Sequence, residues 1–148
     1  MNIEYVDVLD ENGIPTGEIV TRDEAHKTGK WHRAIVVAIV NSDNKVLLQR
    51  RSKNKKKRAG MWDISVAGHV STGQDSISAS IREINEEVKV DFKWIVDVKD
   101  FRYMFSYRCQ EVFEEGIIEN QVYDFFILRQ NSMTDVEKIR FQEEEVDE

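Results

Sequence analysis

The sequence predicts a single α+β domain, and three observations support this prediction. The chain has 148 residues, the size of one ordinary domain. A continuous run of β-branched and small apolar residues, Ala34–Val40, is typical of a strand buried on both faces. An amphipathic helix is indicated by apolar residues that recur on a 3.6-residue period, namely Ile77, Ile81, Ile84 and Val88. One clear helix among several strand-like segments favours the α+β class.

The other segments are mostly strand-like. Glu4–Leu9 and Gly17–Val20 flank a turn signal and predict a hairpin within an N-terminal extension, residues 1–30. Lys45–Gln49 follows Ala34–Val40 after a short turn, so we expect these two strands to pair as a hairpin. Further strands are predicted around Trp94–Val98, Tyr103–Tyr107 and Gln121–Leu128. Asp75 or Ser76 is placed to cap the helix.

Composition excludes several classes of protein. An apolar content of 41% excludes a fully disordered chain, and a single cysteine, Cys109, excludes an internal disulfide. The longest apolar run, Ala34–Val40, is too short to span a bilayer, and no signal-peptide pattern opens the chain. We therefore expect a soluble, cytoplasmic protein with no membrane partner.

The net charge of −7 is unevenly distributed. Ten basic residues and one acid lie between Lys30 and Gly60, whereas five basic residues and twelve acids lie between Phe101 and Glu148. The basic loop, Arg50–Arg58, has two interpretations: a contact for a polyanion, or a solvated loop that the acidic half balances. Because aromatic residues do not interrupt the run, the second is favoured and nucleic acid is not expected as the main partner.

Three carboxylates share one face of the predicted helix. Glu83, Glu86 and Glu87 stand at positions i, i+3 and i+4, centred roughly opposite the isoleucine stripe. They form either an acidic solvent-facing surface or a site for a hard cation, since Mg²⁺ prefers oxygen ligands and shares them with substrate phosphates. Arg82 lies beside them and is placed to orient a carboxylate or hold a phosphate.

The segment Gly68–Val90, GHVSTGQDSISASIREINEEVKV, resembles the Nudix box. The pattern is a glycine, five residues, a glutamate, seven residues, then Arg-Glu-apolar-x-Glu-Glu-x-Gly-apolar. Seven of its nine defined positions match, namely Gly68, Arg82, Glu83, Ile84, Glu86, Glu87 and Val90. By average composition this core with its spaced glycine arises by chance at roughly one start position per million or fewer.

The resemblance implies a fold, a metal and a reaction. The fold would be an α/β/α sandwich around a mixed sheet, with Gly68 through its carbonyl and Glu83, Glu86 and Glu87 binding Mg²⁺ or Mn²⁺. Arg82 would orient the glutamates. The reaction would be hydrolysis of a diphosphate linkage in a nucleoside diphosphate derivative or a similar small molecule. For the general base, the candidates are Glu83 or a late acid such as Glu143 or Glu144.

Two positions depart from the pattern. Gln74 stands where the family has its first glutamate, which removes one negative charge from the site. Lys89 replaces the glycine that ends the helix, which removes an easy left-handed cap. The first change leaves a non-catalytic diphosphate-binding module as an alternative to a hydrolase.

The resemblance extends to the isopentenyl diphosphate isomerase branch of this family. The residues that match that enzyme's metal-binding set are His26, His32, His69 and Glu119, which would form a second metal site or an inherited scaffold. Isomerase chemistry is less favoured. Ala67 and Gln121 replace that enzyme's cysteine and acid, and protonation of an alkene needs an acid and a base.

Relatives of this type usually continue into a second long helix, for which the sequence up to Glu148 leaves little room. We therefore expect that helix to be missing, either because the chain is shortened or because a second subunit of a homodimer covers the face.

Overall fold

The computed structural model describes residues 2–90, 97–130, 139–141 and 146–147. Two α-helices and ten strands lie in these ranges. In chain order they are β1 (Tyr5–Leu9), β2 (Pro15–Thr21), α1 (Arg22–Thr28), β3 (His32–Val40), β4 (Leu48–Arg50), β5 (Trp62–Ile64), β6 (Val66–His69), α2 (Ser76–Glu87), β7 (Val88–Val90), β8 (Phe101–Val112), β9 (Ile118–Arg129) and β10 (Ile139–Phe141). The prediction of an α+β fold is confirmed.

A mixed four-stranded sheet forms the centre, in the order β6-β3-β9-β8. Strands β3 and β9 are parallel, whereas β6 and β8 run antiparallel to their neighbours. The residues of Ala34–Val40 are all buried, as their β-branched sequence predicts for a strand with neighbours on both edges. The three remaining sheets have two strands each: β1–β2, β4–β5 and β7–β10.

Helix α2 begins and packs as its sequence predicts. The Asp75 carboxylate accepts a hydrogen bond from the backbone N–H of Ser78 at 2.7 Å, so Asp75 is the N-cap. Ile84 joins the main core cluster, which the helix shares with Ile35, Val66 and other residues of the sheet. The chain passes from Glu87 directly into β7, with Val88 as the C-cap at φ −116°, so the left-handed cap that Lys89 would hinder is not used.

Two of the three carboxylates on α2 are buried, which disagrees with the interpretation of them as a solvent-facing acidic surface. The buried residues of this helix are Ala79, Ser80, Glu83, Ile84 and Glu87. The buried face is therefore rotated from the isoleucine stripe and includes Glu83 and Glu87, while Glu86 faces outward. The period of the apolar residues does not predict which carboxylates are buried, because their burial also depends on the elements that pack around α2.

The N-terminal hairpin is confirmed as β1 paired with β2. The helix α1 that follows was not predicted. It begins after Thr21, whose hydroxyl accepts from the Glu24 N–H, and ends at Gly29, whose φ of 70° favours glycine. This helix brings His26 to the edge of the cleft described below.

The predicted hairpin between Ala34–Val40 and Lys45–Gln49 is wrong beyond its first contacts. Val46 forms one isolated bridge with Val40, and β4 then leaves the central sheet to pair with β5. The pairing of β4 depends on a segment twelve or more residues further along the chain, which no local pattern indicates. The predicted strand at Trp94–Val98 and the late acids Glu143 and Glu144 lie mostly or wholly outside the described residues. Within the described ranges, no helix is both long and apolar enough to cross a membrane.

Candidate active site

A cleft of about 1280 Å³ lies over one face of the central sheet. It is bordered by the carboxylates of α2, by His26 and His69, by the basic loop Arg50–Arg58 and by aromatic residues of β8 and β9. The sequence motifs that were separate along the chain therefore share one cavity.

Gly68 and Glu83 are in direct contact at the edge of this cleft. A Cβ atom built on Gly68 would lie 2.2 Å from Cδ and 2.3 Å from Oε1 of Glu83. The glycine is therefore required by the close approach of a carboxylate, because its backbone is not in the left-handed region. Burial, together with the charge of Glu86, raises the pKa of Glu83 to about 7, against the opposing effect of Arg82.

Arg82 contacts four groups, namely two carboxylates, one backbone carbonyl and one side-chain amide. Its Nη1 lies 2.9 Å from Oε1 of Glu83 and 3.2 Å from Oε2 of Glu86. Its Nη2 donates to the His69 carbonyl oxygen at 2.9 Å, and its Nε donates to the amide oxygen of Gln74 at 3.3 Å. The Gln74 side chain therefore occupies the arginine side of the site, where the family pattern has a glutamate.

Glu87 is held on the other side by a residue that sequence reasoning missed. Nε2 of Gln49, on β4, donates to Oε2 of Glu87 at 3.2 Å, and both side chains are buried. The second polar atom of this amide, Oε1, is buried with no hydrogen-bond partner. A polar residue within the otherwise apolar Val46–Gln49 segment was the one available signal.

Three histidines lie close together beside the cleft, which two of them, His26 and His69, border. The ligand atoms of His26, His32 and His69 all lie within 4.8 Å of one another. They come from α1, β3 and β6, which the sheet register and the first helix bring together. Burial lowers the pKa of each of them, that of His26 to about 4, so the rings are neutral at pH 7.

The hydrogen bonds of His32 define its tautomer. Its Nδ1 lies 3.0 Å from the Lys30 carbonyl oxygen, which can only accept, so Nδ1 carries the proton and Nε2 presents a lone pair. The amide nitrogen of Gln121 donates to Nε2 of His32 at 3.1 Å and contacts Nε2 of His69 at 2.9 Å. Gln121 also accepts a hydrogen bond from the Tyr123 hydroxyl. The amide therefore supports two of the rings, and it offers no acid for isomerase chemistry.

Glu119 lies near the histidines and is paired with a basic side chain. Its charge raises the pKa of His26 and His32 against the larger effect of burial. Its carboxylate forms an ion pair with Lys57 of the basic loop. It is not part of the set of ligand atoms within 4.8 Å of one another.

Several basic residues of the loop form ion pairs with acids. Arg58 pairs with Glu111 and Lys57 with Glu119, both of the acidic half, while Arg51 lies 3.6 Å from Asp63 outside that half. The first two ion pairs agree with the interpretation in which the acidic half balances the loop. Lys56 and Lys57 nevertheless border the cleft, where a phosphate group would meet their charge.

The sequence of this chain matches a protein-family model. The NUDIX domain model matches residues 30–148. The chain belongs to the NUDIX domain family. Nudix hydrolase 3 of Arabidopsis thaliana is 37% identical over 145 residues, which cover 97% of this chain and 18% of that protein.

Other relatives of this Nudix chain are named as Nudix hydrolases or as isopentenyl-diphosphate Delta-isomerases. An uncharacterized Nudix hydrolase of Listeria monocytogenes is 34% identical over 76% of this chain and 64% of its own length. An isopentenyl-diphosphate Delta-isomerase of Pectobacterium atrosepticum is 32% identical over 82% of this chain and 64% of its own length. The chain thus spans less than two thirds of each of these three relatives.

Solved structures agree on the Nudix fold. A protein of Deinococcus radiodurans has a TM-score of 0.70 at 22% identity, covering 97% of this chain and 80% of that one. The dihydroneopterin triphosphate pyrophosphohydrolase of E. coli has a TM-score of 0.54 at 21% identity, covering 75% of this chain and 74% of that one. At these identities the likeness concerns the fold alone.

The Nudix carboxylates fit a hard cation by their donor type and their surroundings. Glu83 and Glu87 are oxygen donors buried at the cleft wall, and the amide oxygen of Gln49 beside Glu87 is unpartnered. Glu86 is half exposed and bound to Arg82. Among the described residues, a compact group of three possible ligand atoms is formed by the histidines and not by the three carboxylates.

The three histidines fit a transition-metal ion, because their ring nitrogens are neutral and lie close together. His26 Nε2 is buried and has no hydrogen-bond partner, whereas the lone pair of His32 Nε2 accepts from the Gln121 amide, which a metal ion would have to displace. Neutral imidazole nitrogens of this kind are ligands for Zn²⁺, Mn²⁺ and related ions.

Proposed function

We propose that this chain forms a metal-dependent hydrolase that cleaves a diphosphate linkage in a nucleoside diphosphate derivative or a similar small molecule. The observation that carries the proposal is the contact between Gly68 and Glu83, with Arg82 bridging Glu83 and Glu86. This contact explains why the Nudix box places its glycine and its helix at this spacing. In this proposal Mg²⁺ or Mn²⁺ is held by Glu83, Glu86, Glu87 and the Gly68 carbonyl.

A divalent cation in such a site neutralises phosphate charge and lowers the pKa of a water molecule. The protein's own residues supply orientation. Arg82 fixes Glu83 and Glu86 through a guanidinium that also contacts the main chain at His69, so it has little freedom to move. Gln49 holds Glu87 against the wall of the cleft. Lys57 and its neighbours place positive charge along the cleft, which favours an anionic substrate.

Two candidates for the general base remain. Glu83 lies in the cleft and is partly protonated near pH 7, because burial raises its pKa to about 7. Glu143 and Glu144 lie outside the described residues. Glu83→Gln and a Glu143→Gln/Glu144→Gln double variant, compared by the pH dependence of kcat, would separate the two.

The test of the proposal is phosphate release from a library of diphosphate compounds in the presence of Mg²⁺ or Mn²⁺. Glu86→Gln and Glu87→Gln should each lower turnover by at least about 100-fold with the fold intact, because electrostatic stabilisation is lost. Glu11→Gln removes an exposed carboxylate from a distant turn and is the matched control. Full activity in both Glu86→Gln and Glu87→Gln would refute the site. Ligand binding with no turnover for any compound would favour the non-catalytic module.

We also propose that His26, His32 and His69, with Glu119 nearby, form a second metal site. The unpartnered Nε2 of His26 supports it. Cobalt titration followed by visible absorption should reveal a site in the unchanged chain and in Glu87→Gln, but not in His26→Ala. Equal cobalt binding in His26→Ala and the unchanged chain would overturn this second proposal.

A further inference from the structure

Lys57 of the basic loop forms an ion pair with Glu119 beside the three histidines. The pair is largely sheltered from solvent, since the side chains of Lys57 and Glu119 are 19% and 11% exposed. Burial and then the positive charge of Lys57 lower the pKa of His26 to about 4, so the ammonium group lies within electrostatic range of that ring. The chain therefore places a cation of its own next to the proposed second metal site.

The same ion pair gives the Glu119 carboxylate a partner other than a metal ion. The charge of Glu119 acts on His26 and His32, yet this carboxylate does not belong to the compact group of ligand atoms that the histidines form. A carboxylate that neutralises an ammonium group gains a dication as a partner only if the ammonium group leaves, because two cations held by one carboxylate repel each other. Lys57 and a metal ion would therefore exclude each other at Glu119.

We propose that Lys57 is an internal cation that competes with the second metal ion for Glu119. When a metal ion binds to the histidines, it takes Glu119 as a further ligand and the Lys57 ammonium group leaves the ion pair. Lys57 and Glu119 both border the cleft, so the released ammonium group adds its positive charge to this cavity. The inference rests on the proposed second metal site and deepens it.

The exchange requires only the Lys57 side chain to move, because the loop around it has other contacts. The guanidinium of Arg58 pairs with Glu111 on β8 and lies over the ring of Phe113, with Cζ 5.6 Å from the ring centroid. Nε of Arg51 donates to the carbonyl oxygen of Lys57 at 3.3 Å. Neither contact involves the Lys57 ammonium group. The main chain of the loop can therefore stay in place while the ammonium group leaves Glu119.

The experiment measures cobalt affinity by visible absorption, so that it does not depend on turnover. Every sample carries Glu87→Gln, which weakens cobalt binding at the Nudix carboxylates. Lys57→Met removes the charge and keeps an unbranched side chain beside Phe113, 5.2 Å from whose centroid the ammonium group lies. This variant should bind Co²⁺ about tenfold or more tightly than the chain with Lys57, because the metal ion no longer displaces an ammonium group.

Arg58→Met is the matched control. It removes a cation of the same loop that lies over the same ring, but the partner of Arg58 is Glu111 and that pair is more exposed to solvent. Its cobalt affinity should stay within about twofold of that of the chain with Arg58.

Glu119→Gln shows whether the two cations compete for this carboxylate. The variant should bind Co²⁺ more weakly, because it removes a metal ligand. In this background, Lys57→Met should change cobalt affinity by less than about threefold, since no carboxylate is left to release. If repulsion between Lys57 and the metal ion were the whole cause, the full increase would persist without Glu119.

A second measurement follows the ammonium group itself. Acylation of lysines by an N-hydroxysuccinimide ester is quantified for each residue by peptide mass spectrometry. Lys57 should react slowly without metal, because its amine is held in a sheltered ion pair, and faster once Co²⁺ is bound. Lys56 is an exposed neighbour and should react at the same rate in both conditions.

Several results would overturn the inference. These are equal cobalt affinity with and without Lys57→Met, an increase that persists in the Glu119→Gln background, or acylation of Lys57 that cobalt leaves unchanged. The proposals above fail in distinguishable ways. Absence of cobalt binding in every variant would overturn the second metal site together with this inference. Absence of phosphate release from any diphosphate compound, with the cobalt differences intact, would overturn the hydrolase alone.

Discussion

Replacing Gly68 by alanine puts a methyl group into space that Glu83 occupies. The new Cβ would lie 2.2 Å from Cδ, 2.3 Å from Oε1 and 2.6 Å from Cγ of Glu83, whereas ordinary contact begins at 3.4 Å. The Glu83 carboxylate must therefore move by more than about 1 Å. It is not a free end that swings away cheaply, because it is buried and bonded to Arg82.

The expected loss of activity is large and the expected loss of stability is moderate. Overpacking of this kind costs about 1–3 kcal/mol of the free energy of unfolding. A displacement of about 1 Å in a group that positions the reaction lowers turnover by about 100-fold. Gly68→Ala should therefore fold, unfold at lower urea concentration, and lose about two orders of magnitude in metal-dependent kcat.

Gly73→Ala is the matched control. Gly73 has a φ of +82°, so alanine there is strained by about 1–2 kcal/mol, but a Cβ atom would meet nothing within 4 Å. This variant should lose comparable stability and keep its activity. Urea unfolding and steady-state kinetics on both variants decide the matter. Retained activity in Gly68→Ala, or equal loss of activity in Gly73→Ala, would refute the explanation based on the Gly68–Glu83 contact.

Two further predictions concern charge. Gln74→Glu adds a negative charge beside Arg82. It should lower the Mg²⁺ concentration for half-maximal activity about tenfold, with little change in kcat at saturating metal. An unchanged or higher half-maximal concentration would contradict this prediction. In EDTA, folded Glu83 keeps its proton up to pH about 7 while the unfolded chain loses it near pH 4.5. The free energy of unfolding, relative to Glu83→Gln, should therefore fall by at most about 3 kcal/mol between pH 4.5 and 7 and stay level above; a difference independent of pH would contradict this.

Acidic and basic side chains both border the cleft. Carboxylates of α2 lie on one wall and the lysines and arginines of the basic loop border another, with ion pairs such as Lys57–Glu119 between them. A diphosphate with its cation carries both signs and, in the proposed function, would meet a partner of opposite charge from each group. In the proposed function, such an arrangement favours a compact anion with its metal over an extended polyanion.

Local features of this protein could be predicted from sequence because short-range physics determines them. The period of Ile77, Ile81, Ile84 and Val88 and the cap at Asp75 define α2, since helix hydrogen bonds join residues four apart. The β-branched run Ala34–Val40 defines β3 for a similar reason. The spacing of Gly68, Arg82 and Glu83 indicated the family.

Only the tertiary structure determines which residues these helices and strands contact. It rotates α2 so that Glu83 and Glu87 are buried, it pairs β4 with β5 rather than with β3, and it brings His26 of an unpredicted helix to His32 and His69. It also aligns Phe105, Phe125, Val36 and Ala67 in one row, although they come from four strands. Each of these contacts joins residues far apart in the chain, and their pairing depends on which faces pack together to bury the core. That choice is made by the whole chain, so no single segment of the sequence records it.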